Sequence, residues 1–121
     1  MSAFIDPDIE QVQAAARIGV DAIELHTGRY CDAPTRDVRD EEHRRLVNAA
    51  KAATKLKLRC YAGHGIHYDN VGAIASILEV EELNIGHSIV ARAIMVGMQA
   101  AVREMRDLAW QARRDAIASP G

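Results

Sequence analysis

Four short apolar runs, each followed by a longer stretch of helical periodicity, alternate along this chain, the signature of βα units around a parallel sheet. The first unit opens on Ser2-Ala-Phe-Ile-Asp6 as a strand. Asp6-Pro7 is expected to cap the next helix and supply its first-turn proline, with Ile9, Val12 and Ala16 on one face and a stop at Gly19. The second unit has a strand at Ala22-Ile-Glu-Leu-His26, a polar loop from Thr27 to Pro34, and a long helix from near Thr35 with Leu46, Val47, Ala50 and Ala53 on its apolar side. Leu58-Arg-Cys-Tyr-Ala62 forms the third strand. It runs through Gly63-His64-Gly65 into a short helix that Asp69 can cap, carrying Val71, Ile74 and Ala75. The fourth strand, Glu82-Leu-Asn-Ile85, leads through Gly86-His87-Ser88 to a helical pattern split at Gly97. A short piece covers Ser88 to Val96, and a longer one places Met98, Ala101, Val102, Met105, Leu108, Ala109 and Ala112 at helical spacing. The tail from Ala118 to Gly121 reads as frayed.

Successive strand residues point to opposite faces of a sheet, and here the two faces differ. Ala3 and Ile5, Ile23 and Leu25, Leu58 and Cys60, and Leu83 and Ile85 suit packing under helices. Opposite them stand Asp6, Glu24 with His26, Arg59 with Tyr61, and Glu82 with Asn84. A doubly wound sheet, buried on both sides, would be apolar on both, so a polar lumen fits this pattern better. A complete eight-unit barrel typically needs about 250 residues, and this chain has 121. The expected architecture is a (βα)4 half of a TIM (βα)8 barrel, a single region over 1–121 with parallel strands and helices on one face.

A 49% apolar and 26% charged composition suits a packed domain. Fifteen Lys and Arg against seventeen Asp and Glu give a formal charge of −2, so no global basic field recruits nucleic acid or an anionic membrane. Any anion must be held locally. No stretch approaches the roughly 18 apolar residues of a membrane span, and Met1-Ser-Ala-Phe-Ile-Asp6 lacks the features of a signal peptide. Cys31 and Cys60 form no CxxC pair, and reduced thiols in the cytoplasm are the default.

In parallel βα architectures chemistry gathers where strands end, and the unusual local sequences fall there. Glycines on both sides of His64 let a ligand approach the backbone, and an imidazole can give or take a proton near neutrality. By itself the triplet is equally a loop histidine bonded to a neighbouring carbonyl. Gly86-His87-Ser88 at a helix start offers free N–H groups and the positive end of the helix dipole, an anion site with phosphate as its natural guest; the alternative is an ordinary N-cap by Ser88. Glu24 and His26 share the polar face, where one can stabilise or orient a charged intermediate or the two can form a structural ion pair near Arg59. His26, His64, His67 and His87 raise a zinc site, yet their spacing is not HExxH and no CxxC accompanies them. His43 falls on what reads as a solvated helix face, and Trp110, Met98 and Met105 read as core or interface.

Phe4-Ile-Asp-Pro-Asp8, Ile23-Glu-Leu-His-Thr-Gly-Arg-Tyr30, Ala62-Gly-His-Gly65 with Tyr68-Asp-Asn-Val71, and Glu81-Glu-Leu-Asn-Ile-Gly-His-Ser-Ile89 together resemble the pyridoxine 5'-phosphate synthase family. The likeness continues through Ala91-Arg-Ala93 and Val102-Arg-Glu-Met105. It implies a barrel enzyme of vitamin B6 biosynthesis that condenses 1-deoxy-D-xylulose 5-phosphate with 3-amino-2-oxopropyl phosphate, using neither metal nor organic cofactor. It further implies His64 as proton donor, Glu24 as transition-state stabiliser, and Gly65, Gly86 and His87 as holders of the aminoketone phosphate. The resemblance covers the family's second half, strands five to eight. The general bases and the groups that hold the deoxyxylulose phosphate lie on the family's early strands and have no counterpart here. Tyr61 stands where the family usually has Asn. A polar face open to water implies a homo-oligomer, a complementary half-barrel as partner, or a sequence covering only part of the natural enzyme; an inert phosphate-binding half-barrel is the alternative function.

Overall fold

The computed structural model describes residues 1–118; the last three residues of the expected frayed tail lie outside the described residues. Strands β1 (Ser2–Ile5), β2 (Ala22–His26), β3 (Arg59–Gly63) and β4 (Glu82–Asn84) form one parallel sheet in the order β1-β2-β3-β4. Between and after them run α1 (Ile9–Arg17), α2 (Gly28–Cys31), α3 (Arg36–Lys55), α4 (Val71–Ala75), α5 (His87–Val96) and α6 (Met98–Ala118). Every strand joins its sequence neighbour, as four consecutive units of a (βα)8 barrel would.

The predicted asymmetry of the sheet is present. Ile23, Leu25, Leu58, Cys60 and Ala62 are buried under the helices with Val12, Leu46, Ala50, Ala53, Val71, Ile74 and Met105, while Ala3, Ile5, Leu83 and Ile85 pack against that core. Each fully buried aliphatic side chain contributes about 1.5–3 kcal/mol, which makes this one face the main source of stability. On the other face Phe4, Arg59, Glu82 and Asn84 are exposed and Glu24, His26 and Tyr61 half-buried. The small side chains Ala49, Ala50 and Ala53 of α3 let that helix lie close to the sheet.

Several local signals are realised as expected. Thr35 caps α3, its hydroxyl accepting from the Val38 N–H at 3.2 Å. Gly19 and Gly97 adopt φ of +85° and +88°, where a Cβ would be strained, so they end α1 and separate α5 from α6.

Others are corrected. The N-cap of α1 is Asp8 rather than Asp6: its carboxylate accepts from the Glu10 N–H at 3.0 Å, while the Asp6 N–H is taken by Gln11 Oε1 at 3.0 Å. Pro7 therefore precedes the helix. The cap position of α4 belongs to Asn70, not Asp69, and the Asn70 side chain braces the preceding loop, accepting from His67 N–H at 2.7 Å and donating to Gly65 O at 3.3 Å. The polar stretch after β2 contains α2. His43 is half-buried, 3.0 Å from the Ala73 carbonyl and tilted against Tyr30, so that helix face is not simply solvated. Trp110 is 57% exposed, with the Arg106 guanidinium over its ring, and Met98 is also exposed; of those three only Met105 is core.

Helix α5 buries no residue. Val90, Ile94 and Met95 on it, with Met98 and Val102 on α6, leave an apolar surface uncovered. Arg113 of α6 ties that helix to the chain entering β4, donating to the carbonyls of Ala75 at 2.8 Å, Leu78 at 2.9 Å and Val80.

Candidate active site

At the end of β3 the backbone turns through His64 with φ +91° and Gly65 with φ +78°. A non-glycine residue in the left-handed region is unfavourable unless its surroundings hold it there. The holder is Thr27, fully buried at the end of β2. Its N–H donates to Gly63 O at 2.9 Å, and its hydroxyl lies 2.9 Å from Gly63 O and 2.5 Å from His64 O, one proton shared between two carbonyls. This clamp presents the His64 side chain at the surface of the polar face.

Three rings stand together there. The imidazoles of His26 and His64 stack at 4.4 Å with 26° between planes, and Phe4 meets His26 edge-on at 5.2 Å. The Gly28 N–H donates to His26 Nδ1 at 3.2 Å, so the neutral His26 ring carries its proton on Nε2. A Cβ at Gly28 would lie 2.4 Å from His26 Cε1 and 2.9 Å from His64 Cδ2. Glycine at the start of α2 thus leaves room for the ring pair.

Beside the rings opens a cavity of about 590 Å³ whose lining includes His64, Gly65, Asn84, Gly86 and His87. Gly86 takes the cap position of α5 with no side-chain hydrogen bond to the helix, and nothing lies within 4 Å of where its Cβ would be. The first N–H groups of the helix are therefore open to an anion. Ser88 is not the cap; its hydroxyl donates to Ile66 O at 2.8 Å and fastens α5 to the loop after β3. Asp32 and His67 complete the polar rim. Four of the five predicted residues, His64, Gly65, Gly86 and His87, thus share one cavity. Glu24 lies outside its lining but on the same sheet face, hydrogen-bonded to Asn84. It makes no ion pair with His26 or Arg59 among the described residues.

Thr27 and Asn84 carry no signal of their own in the sequence; one reads as the start of a polar loop, the other as one more polar strand residue. Among the described residues no cluster of three or more His, Cys, Asp or Glu side chains is arranged to hold a metal, and two of the four histidines considered as ligands are instead stacked face to face.

Both thiols are muted by burial. Cys31 lies under the loop, its Sγ 3.7 Å from His64 O, and burial pushes its thiol up. Burial, with the Glu81 and Glu79 charges, pushes the Cys60 thiol up to about 12. Since the thiolate is the nucleophile, iodoacetamide at pH 8 is expected to leave Cys60 unmodified in native protein and to label it in denaturant. Peptide mass spectrometry reads this directly; rapid native labelling of Cys60 would contradict its burial.

The family model described as "Pyridoxal phosphate biosynthesis protein PdxJ" matches residues 1–111. A pyridoxine 5'-phosphate synthase of Syntrophotalea carbinolica is 56% identical over 108 residues, covering 89% of this chain and 45% of the relative. The enzyme of the same name from Sulfurihydrogenibium sp. is 49% identical over 115 residues, 95% of this chain and 47% of the relative. That of Magnetococcus marinus is 48% identical over 120 residues, 99% and 48%. The chain spans a little under half the length of these curated relatives. No helix among the described residues is long and apolar enough to cross a membrane. With a four-stranded parallel sheet, glycine loops at its strand ends and a family match along nearly all its length, this chain belongs to the PdxJ family of pyridoxal phosphate biosynthesis proteins.

Proposed function

We propose that this chain forms the second half of a pyridoxine 5'-phosphate synthase barrel and supplies its general acid and one phosphate site. The reaction would join 1-deoxy-D-xylulose 5-phosphate to 3-amino-2-oxopropyl phosphate with release of inorganic phosphate and water. The observation that carries the reading is the convergence of His64, Gly65, Gly86 and His87 on one cavity beside the open start of α5. Condensation of an amine with a carbonyl expels water, and the departing hydroxyl needs a proton. The His64 ring, at the rim of the cavity, is the proposed donor. The N–H groups at the start of α5, with His87 and Gly65, would hold the aminoketone phosphate, because helix N-termini favour anions. Glu24 would stabilise positive charge developing on the nitrogen.

The reading requires the other half of the barrel, on the same polypeptide or on another. Strands β1 and β4 are sheet edges, the polar face is open, and Val90, Ile94 and Met95 are uncovered. Exposed apolar patches of this kind mark association surfaces. A complementary barrel half, or further copies of the chain, would close the sheet and cover them. Two unpaired thiols suit a cytoplasmic location.

The test is to incubate the chain, alone and with the first half of a family relative, with both phosphorylated substrates. Pyridoxine 5'-phosphate is expected by mass spectrometry from the closed assembly, and its absence from every assembly would overturn the proposal. In the same samples His87→Ala is expected to raise the KM for the aminoketone phosphate more than it lowers kcat.

A further inference from the structure

Glu24 and Asn84 stand two strands apart, on β2 and β4, with β3 between them. The register pairs Glu24 with Tyr61 and Glu82 in one row across the sheet, and His26 with Gly63 and Asn84 in the next. Neighbouring parallel strands are about 4.8 Å apart, so side chains on alternate strands normally meet only over the intervening residue. Here that residue is Gly63. A Cβ on it would sit 2.9 Å from Glu24 Oε2, 3.1 Å from Asn84 O and 3.2 Å from Asn84 Cβ. Its absence opens a slot across which Glu24 leans out of its own row, and Asn84 Nδ2 donates to Glu24 Oε1. Oε2 has no hydrogen-bond donor among the described residues and is left for a ligand.

We infer that Asn84 is a positioning residue that fixes the Glu24 carboxylate across the Gly63 slot, with Oε1 tied to β4 and Oε2 presented to the reacting molecule. The inference rests on the proposed role of Glu24 as the group that meets developing charge. A carboxylate does this best when its orientation is set beforehand. Asn84 also lines the cavity that holds His64 and His87, so the same side chain links the strand carrying the carboxylate to the strand leading into the anion site.

Two measurements test this, and one needs no activity. In the preparation used for the assay, the Asn84 side-chain NH2 resonances are expected to move on Glu24→Ala, because the donor loses its charged acceptor; unmoved resonances would overturn the inference whether or not product forms. In an active assembly, Asn84→Ala is expected to lower kcat about 10- to 100-fold, the scale of a misplaced reacting group, with KM for both substrates within about twofold. In a Glu24→Ala background the same change should cost less than about twofold more, since nothing remains to be positioned. Multiplying losses would show that Asn84 acts independently of Glu24 and would overturn the inference. An inactive wild-type assembly defeats the proposed function alone, and the resonance measurement still decides the contact.

Discussion

Replacing His64 with Asn is expected to lower turnover of the assembled enzyme by about 10² to 10⁴, the usual contribution of a general acid, while binding of the aminoketone phosphate is largely kept. Asn is the informative substitution because of the backbone. His64 sits at φ +91°, a region that short Asn side chains tolerate better than most L-residues. The turn, the Thr27 clamp and the neighbouring Gly65 should therefore survive, and only the titratable ring is removed. The phosphate contacts are proposed to come from α5 and Gly65, so isothermal titration with the aminoketone phosphate should report affinity within a few-fold of the original. Turnover unchanged by His64→Asn would remove His64 from the role. A companion variant separates strain from chemistry: His64→Gly should be equally slow yet more stable by about 1–2 kcal/mol, the left-handed penalty of a Cβ. Equal stability would mean that the penalty is already offset by the stacking of His64 on His26.

Much of this geometry is legible in the sequence because it is local. The alternation that puts Ile23 and Leu25 under helices and Glu24 and His26 on the open face follows from the two-residue strand period, and the glycines around His64 and before His87 mark the strand ends. Caps are less certain to read: Asp6-Pro7-Asp8 offers two carboxylates to one helix, and it is the Asp8 carboxylate that accepts the Glu10 N–H. What escapes the sequence depends on partners far along the chain. Four residues from Gly28 make a marginal helix alone; α2 exists because Thr27 is bonded to carbonyls 36 and 37 positions away. His43 looks solvated until α4 is placed against it. Glu24 meets Asn84 only because β3 happens to present Gly63 in the row between them. Trp110, read as core or interface, is exposed and so is not core.

The second large effect is expected from Thr27→Val. The substitution keeps the shape and β-branching of a fully buried side chain, so packing is nearly unchanged and the lost hydroxyl is the whole perturbation. Gly63 O retains the Thr27-position N–H, but among the described residues His64 O is left with only the long Cys31 Sγ contact at 3.7 Å. His64 is exposed and the bond only part-buried, so losing it costs about 0.5–1.5 kcal/mol, and the urea midpoint should fall accordingly with an unchanged slope. The functional consequence is larger than the stability change suggests. Without the hydroxyl the surroundings no longer hold His64 in the left-handed region, and relaxation toward negative φ would swing its ring off His26 and away from the cavity. Turnover should then fall toward the level of His64→Asn, although every group proposed to touch substrate is still present. Thr27→Ser restores the hydroxyl and is expected to recover most of both losses. If Thr27→Val lowers stability but leaves kcat unchanged, the His64 turn is held by the glycines alone, and Thr27 is a fold residue rather than part of the site.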